Sequence, residues 1–517
     1  MSTARAASTI NVGSYLLLPN TPGQVIQIPV SGTDMAPGAD LAVQVGDGGP
    51  QLSGTPGPTI SNIGLTTGTI FAVPDASQST PSGNKPQVWF TDVFLTSNNP
   101  SSVLANGVLA NLTLDTTGFS NGSFALLLSN VATSIAPPNG YSTDLTSHVP
   151  NLTINNGSIT IIPTAAYWQG NVDGNWSTNN SGVTNWKTDA AGATDTHATP
   201  GSPTDVFFTT TGGGSNVSTT LDADFSIKGL TFTSAATNAV SIGGSHTLSL
   251  GADGLTVQAG AAAPTISSAV TLRTNQTWTV NGANPLTVSG VTSLGGFTLT
   301  KTGTGTVRIT GTPNLSAGSA LAINSGALQF NVASGSATVS SGVTANVSGT
   351  GTLELAGSVS ALGTTTVADR VNISNSSTAA AGLLVSGGNQ QVGGIDGSGN
   401  VQVNAGARLT ANHITAGALV IGGVAGSSAS VIIDASDSSG QPLASGFALA
   451  SSLSLSGPFA AGTPGSSSFL VSDSSPSGSL SEITLGGNSS AVPEPSTLVL
   501  AVCCLLAALG RCRRLGP

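Results

Sequence analysis

Leu321-Ala322-Ile323-Asn324-Ser325-Gly326-Ala327-Leu328-Gln329-Phe330 is the stretch on which the fold turns. Leu321 and Ile323 alternate with Ala322 and Asn324, Gly326 interrupts the run, and Leu328 and Phe330 alternate with Ala327 and Gln329. A period of two marks a strand with one buried face, and the central glycine allows a corner that other residues resist. Such a unit cannot bury its apolar face alone. Stacked on copies of itself, every strand gains a neighbour and the buried faces merge into one core. The unit recurs from Val339 to Val347, turning at Ser341-Gly342, and in Val401-Gln402-Val403-Asn404-Ala405-Gly406-Ala407-Arg408-Leu409. The pattern predicts a right-handed parallel β-helix, or solenoid, over residues 167–455.

Upstream, residues 8–163 show short alternating runs between Gly, Pro and Asn: Ile26, Ile28 and Val30; Leu41, Val43 and Val45; Val108, Leu112 and Leu114 after Asn106-Gly107. Phe124 to Leu128 reads as a continuous buried strand. Leu152, Ile154, Ile159 and Ile161 surround a turn at Asn155-Asn156-Gly157-Ser158. Many short strands at this spacing predict a β-sandwich. Trp89-Phe90 reads first as core packing and second as a surface anchor.

The order of strands here resembles that of cohesin-like domains: Gln24-Val25-Ile26-Gln27-Ile28-Pro29-Val30 at the start, then Gly107-Val108-Leu109-Ala110-Asn111-Leu112-Thr113-Leu114, then Gly157-Ser158-Ile159-Thr160-Ile161 near the end. The resemblance implies a fold that binds protein modules such as dockerins, with structural relatives that bind polysaccharides. The expected partners are therefore a surface protein or an extracellular polysaccharide.

Composition narrows the function classes. The chain has 517 residues, too many for one compact core. Only 7% are charged while 38% are hydrophobic, so the chain can fold, and its 68 glycines favour strands with tight turns. Net charge is −10; without the residues from Val492 onward, which hold Glu494 and three Arg, 9 basic and 21 acidic residues leave −12. Such a body repels phosphate backbones, so no nucleic-acid partner is expected. Cys503, Cys504 and Cys512 are the only cysteines, so a disulfide framework upstream of the C-terminal end is excluded. His148, His197, His246 and His413 fit no zinc spacing.

The C-terminal end reads Val492-Pro493-Glu494-Pro495-Ser496-Thr497, an uncharged apolar run Leu498 to Leu509 that includes Leu500, Leu505 and Leu506, and then Gly510-Arg511-Cys512-Arg513-Arg514. The prolines block a helix upstream, and the positive-inside rule puts the arginines in the cytoplasm and the body outside. A short C-terminal transmembrane helix is predicted. From Ser496 to Gly510 it would be about 22 Å long, with snorkelling arginines and local thinning covering the shortfall. A buried amphipathic helix is the alternative. The three-part tail, residues 492–517, resembles the PEP-CTERM sorting signal of exopolysaccharide-producing bacteria. That resemblance implies a secreted or cell-surface protein, anchored at least transiently, whose Pro-Glu-Pro motif is recognised and processed by an exosortase-type membrane enzyme. At the other end, Ala4-Arg5-Ala6-Ala7-Ser8 resembles a small-residue cleavage site, an expectation that places the true start upstream of Met1.

Trp168, Trp176 and Trp186 open the repetitive region. They read first as a plug over the open end of a stacked core and second as an aromatic sugar contact. Phe297-Thr298-Leu299-Thr300-Lys301-Thr302-Gly303-Thr304-Gly305-Thr306-Val307-Arg308-Ile309-Thr310-Gly311 resembles the autotransporter-associated β-strand repeat, echoed by Gly351-Thr352-Leu353-Glu354-Leu355-Ala356-Gly357 and Val392-Gly393-Gly394-Ile395-Asp396-Gly397-Ser398-Gly399-Asn400. In that family these are scaffold coils. Residues 456–491 are Ser/Gly/Pro-rich and read as a flexible stalk.

The densest charged group, Asp222, Asp224 and Lys228, reads as turn capping. No nucleophile elbow, phosphate loop or His-Glu metal helix is present. The chain is accordingly expected to be all-β and non-enzymatic, with no catalytic residue, cofactor or metal. Two functions compete: a structural or adhesive component of the cell surface or matrix, and a polysaccharide- or protein-binding module on a solenoid spacer.

Overall fold

The computed structural model describes residues 8–96, 101–128, 152–180, 182–209, 216–422 and 429–434, together with strand segments 453–454, 467–472 and 481–485. The tail 492–517, with its sorting motif and expected helix, lies outside the described residues. Among the described residues there are strands and two 3-10 turns, Pro50–Leu52 and Val367–Asp369, and no α-helix.

Thr9 to Ile161 form a sandwich. One sheet runs in the order Thr153–Asn155, Thr9–Asn11, Gln24–Ser31, Gly107–Asp115, Thr59–Gly64. The other runs Ser14–Leu17, Gly157–Ile161, Gly122–Leu127, Gly38–Val45, Val88–Leu95, Ala76–Ser79. Ile28, Val30, Leu112 and Leu114 from the first sheet share one core with Leu41, Val43, Val93 and Ile159 from the second. In Gln24–Ser31 the alternation is strict: Ile26, Ile28 and Val30 are buried, while Val25, Gln27 and Pro29 face water. Pro29 has no N–H to offer its neighbour, and the register of the facing strand shifts at that place, between Val108 and Ala110. Phe90 is buried under Leu52 with Ala42 and Val88, and Trp89 packs against the main core, so neither is a surface anchor.

Two sequence expectations change. Phe124 to Leu128 is not buried throughout: Ala125 is exposed while Leu126 is buried, because only one face of this strand meets the core. Nor do Leu152 to Ile161 form a hairpin. Thr153–Asn155 pairs in parallel with Thr9–Asn11, and Gly157–Ile161 in parallel with Ser14–Leu17, so the chain crosses between sheets at Asn156. The N-terminal segment makes the same crossing beside it at Val12-Gly13, with Val12 N–H donating to Asn155 O at 2.9 Å and Ser158 N–H to Gly13 O at 3.0 Å. Gly157 is needed there because an added Cβ would lie 1.8 Å from Gly13 O.

From Ala165–Trp168 onward the described residues form a 25-stranded sheet, joined by a five-stranded sheet of Asn389–Gln391, Arg408–Ala411, Ser430–Asp434, Ser467–Ser472 and Ser481–Leu485 and by the short pair Asn179–Asn180 and Val183–Thr184; the 25-stranded sheet builds the stack. Within the 25-stranded sheet the pairings are parallel, except the antiparallel one between Ala165–Trp168 and Trp186–Lys187. One inward column reads Ile242, Ile266, Val288, Ile309, Phe330, Leu355, Val385, Val403, Ile421, each paired in register with the next. This is the expected parallel solenoid, with one hydrophobic cluster running from Ala166 to Val431. Coil length varies: 21 residues from Val288 to Ile309, 30 from Leu355 to Val385, and 18 from Val385 to Val403. The deciding stretch is one bent strand, Ala320–Phe330. Its first half stacks on Thr298–Thr302 and its second on Thr306–Ile309. Gly326 forms the corner at φ +62, where an added Cβ would meet Gly303 O and Gly305 O at 2.4 Å each.

The stalk expected over 456–491 contains two strands. Ser467–Ser472 pairs in parallel with Ser430–Asp434, and Ser481–Leu485 pairs antiparallel with Ser467–Ser472. The serine-rich composition masks the short β-forming run Phe469-Leu470-Val471, which has the residue types a strand needs.

An inward–outward contrast tests the stack. Leu328→Ala should lower the unfolding free energy by about 3 kcal/mol, whereas Thr306→Ala, at an outward position of the next strand, should change it by less than about 0.5 kcal/mol, both read by urea denaturation.

Candidate functional site

The tryptophans come together at the start of the solenoid. Trp168 ends the first strand, Trp186 pairs antiparallel with it, and Trp176 lies between them and Phe225. Ring centroids are 4.8 Å apart for Trp168–Trp186 and 5.0 Å for Trp176–Trp186, both edge-to-face. Every indole N–H is used: Trp168 donates to Asn216 O at 2.8 Å, Trp176 to Thr219 Oγ1 at 3.0 Å and Trp186 to Trp176 O at 2.9 Å. Trp176 and Trp186 are fully buried and Trp168 nearly so. A sugar ring needs an open aromatic face, so the sugar-contact reading of Trp168, Trp176 and Trp186 is corrected: they plug the core.

The segment that carries them is held by two carboxylates. Asp173 accepts from Asn175 N–H at 2.9 Å, Thr178 Oγ1 at 2.8 Å and Asn185 Nδ2 at 2.8 Å. Burial raises its pKa, but these bonds prevail and hold the carboxyl below its ordinary range. Asp195 behaves likewise: burial opposes ionisation, while Lys187 Nζ at 2.7 Å and donors from His197 and Thr184 hold it low.

The sequence group Asp222, Asp224 and Lys228 is not brought together. Asp222 accepts from Ser177 N–H at 3.0 Å, and Asp224 accepts from Thr247 N–H at 2.8 Å and lies 3.3 Å from His246 Nδ1. Lys228 instead bridges Asp253 at 2.6 Å and Asp205 at 3.4 Å on the neighbouring coils. Burial pushes Asp205 up, and Lys228 opposes the shift. Only the coil register shows this trio, through the pairing of Asp205 with Gly229 and of Gly229 with Gly254. Among the described residues no three His, Cys, Asp or Glu side chains are grouped so as to hold a metal ion.

Lys301 is a feature sequence reasoning named without assigning a place. It is 1% exposed, and its Nζ donates to the carbonyls of Thr302 at 2.6 Å, Gly303 at 2.9 Å and Ser325 at 3.2 Å. Burial pulls its pKa down to about 8.

Exposed apolar side chains concentrate in the sandwich. Of the eight large exposed hydrophobics among the described residues, Leu16, Leu18, Val25, Met35, Phe94 and Leu104 lie there, and Val183 and Val291 lie in the solenoid. Leu16, on the edge strand Ser14–Leu17, is 71% exposed, and Met35 and Leu104 face each other across a two-stranded pair.

Among solved structures the chain is similar to the third ScaC cohesin in complex with the ScaB dockerin from Acetivibrio cellulolyticus, with 14% identity, a TM-score of 0.21, and coverage of 30% of this chain and 99% of that one. It is also similar to an OlpA cohesin in a type I cohesin–dockerin complex from Clostridium thermocellum (12%, 0.21, 30% and 100%) and to a non-cellulosomal cohesin from Archaeoglobus fulgidus (17%, 0.19, 30% and 92%). At these values the likeness bears no functional argument. No family model and no curated protein matches the chain.

If the tryptophans are a plug, Trp176→Ala should cost about 4 kcal/mol of stability, and saturating polysaccharide should leave the tryptophan emission of the intact chain unchanged. The buried ammonium sets an alkaline signature. Its folded pKa, about 8, lies below the unfolded value of 10.5, so between them the unfolded chain holds a proton that the folded chain has released. Stability should therefore rise with pH across that window, by up to roughly 3 kcal/mol, and Lys301→Met should abolish the rise in denaturation curves.

Proposed function

We propose that the protein is a non-enzymatic structural or adhesive component of the cell surface or extracellular matrix: a β-sandwich head on a rigid solenoid. The observation that carries this reading is the unbroken parallel stack. From Ala166 through Val206, Leu230, Leu255, Trp278, Lys301, Ile323 and Val347 to Asn375, and on from Ile373 of the same strand through Ile395 to Ile414, the coils make ten steps. At about 4.8 Å per step this is about 48 Å of continuous core. A body built this way supplies reach and area while spending its side chains on packing.

The second reading, a protein-binding head on a spacer, is favoured by one observation: among the described residues, six of eight exposed large hydrophobics sit in the sandwich. The sandwich also has a core of its own, separate from that of the solenoid, so residues 8–163 can be tested alone. The tail supports a place for the molecule. Val492-Pro493-Glu494-Pro495, the run containing Leu498, Leu500, Leu505 and Leu506, and Arg511, Arg513 and Arg514 fit a sorting signal that an exosortase-type membrane enzyme would process.

Deleting residues 492–517 should move the protein from the membrane and surface fraction into the medium, with intact-mass analysis of the wild-type protein showing whether the tail is removed. Retention of the truncated protein at the surface would count against the sorting role. Residues 8–163, presented to a panel of polysaccharides, cell-surface proteins and a dockerin module, should bind a protein member if the second reading holds. Silence across the panel would leave the structural reading alone.

A further inference from the structure

Lys301 occupies an inward column that is hydrocarbon on both sides of it: Leu255, Trp278, Lys301, Ile323 and Val347 follow one another in register. An ammonium has three N–H bonds, and this one meets three carbonyls, two on its own coil (Thr302 and Gly303) and one on the next (Ser325). The glycines make the room: a Cβ on Gly326 would lie 2.9 Å from Lys301 Nζ. The elements packed around it, Gln276–Val280, Thr306–Ile309, Ala320–Phe330 and Thr344–Leu355, carry two other charged side chains, Arg308 and Glu354. Both stand at outward positions, bonded to Gln329 and Ser386. The ammonium therefore faces backbone dipoles and no carboxylate.

Farther along the same column the other buried polar residue does similar work. Asn375, paired with Val347, donates to Asn400 O at 3.1 Å on the following coil. It also accepts from Ser377 N–H, and Ser377 Oγ reaches back to Gly351 O at 2.6 Å on the preceding coil. Both polar sites clamp corner backbone across a coil boundary.

Apolar alternation defines register only to within two residues. A slip of one turns the core outward, but a slip of two restores the pattern. Coil length cannot settle the matter here, because it runs from 18 to 30 residues. A two-residue slip displaces a side chain by about 6.6 Å; the bonds to Thr302 and Gly303 lie within Lys301's own coil and would persist, but the bond to Ser325 O on the next coil cannot follow. Burying a charge without a counter-ion works against stability, and a single defined register is what such a group can return. We propose that Lys301 is a register lock, whose buried ammonium holds the coil 298–309 and the coil 320–330 in the one alignment that satisfies all three carbonyls.

The test reads register directly, in the full chain with Cys503, Cys504 and Cys512 replaced by serine. Thr300 faces Ala322 across the two coils. T300C/A322C is within bridging distance in the native register, whereas T300C/A320C and T300C/N324C bridge only after a two-residue slip. With Lys301 present, oxidation should link the native pair alone. In the Lys301→Met background the two slipped pairs should gain about tenfold in yield, the population change expected when the one charge-assisted bond between the coils is lost, with Lys301→Gln, which keeps two donors, in between. Native-only crosslinking in Lys301→Met would overturn the proposal. So would loss of the strand circular dichroism in both variants, because a register lock forfeits alignment and not the fold.

Discussion

A strand that is apolar on one face and polar on the other must have a neighbour on each edge and a cover over its apolar face. The whole solenoid answers that requirement by placing each coil on the last, and its ends are where the requirement comes due. At the beginning, Trp186–Lys187 pairs antiparallel with Ala165–Trp168, which ends the parallel series. Three indoles close the core beneath, with their N–H groups bonded. At the far end, Ser481–Leu485 pairs antiparallel with Ser467–Ser472. A reversal of strand direction marks the place where the parallel series stops in each case.

The same physics separates the two bodies. The sandwich solves the neighbour problem by facing two sheets, and it does so without cysteine. Two of its crossings between the sheets lie side by side, at Val12-Gly13 and Asn156-Gly157. The passage is possible because a glycine stands where two backbones nearly touch. It leaves apolar side chains such as Leu16 and Phe94 facing water, whereas the outward positions of the solenoid are largely hydroxyl and amide. A head that offers contact and a stem that supplies length is the division of labour this difference supports.

Much of this was legible in the sequence, and the reasons for the gaps are physical. Alternation within Leu321 to Phe330 and the glycine between its halves were enough to infer stacked coils, because the period of two and the corner are both local. The burial of Trp168, Trp176 and Trp186 followed from the need to cap a stack. What local pattern cannot carry is the register between coils. Asp205, Lys228 and Asp253 are 23 and 25 residues apart in sequence and meet only because Asp205, Gly229 and Gly254 stack. Lys301 looks like any surface lysine until its inward position in the alternation is counted. The strand Ser467–Ser472 was hidden for the opposite reason, since its surroundings have the composition of a linker.

Parallel stacking orders residues far apart in sequence along one axis. The most direct measurement is the distance between spin labels at Thr265 and Leu384, both outward and separated by five register steps through Thr287, Arg308, Gln329 and Glu354. A single narrow distribution near about 24 Å, five steps of about 4.8 Å, is the predicted result. A broad distribution, or one centred well beyond that length, would contradict the stack and the scaffold built upon it.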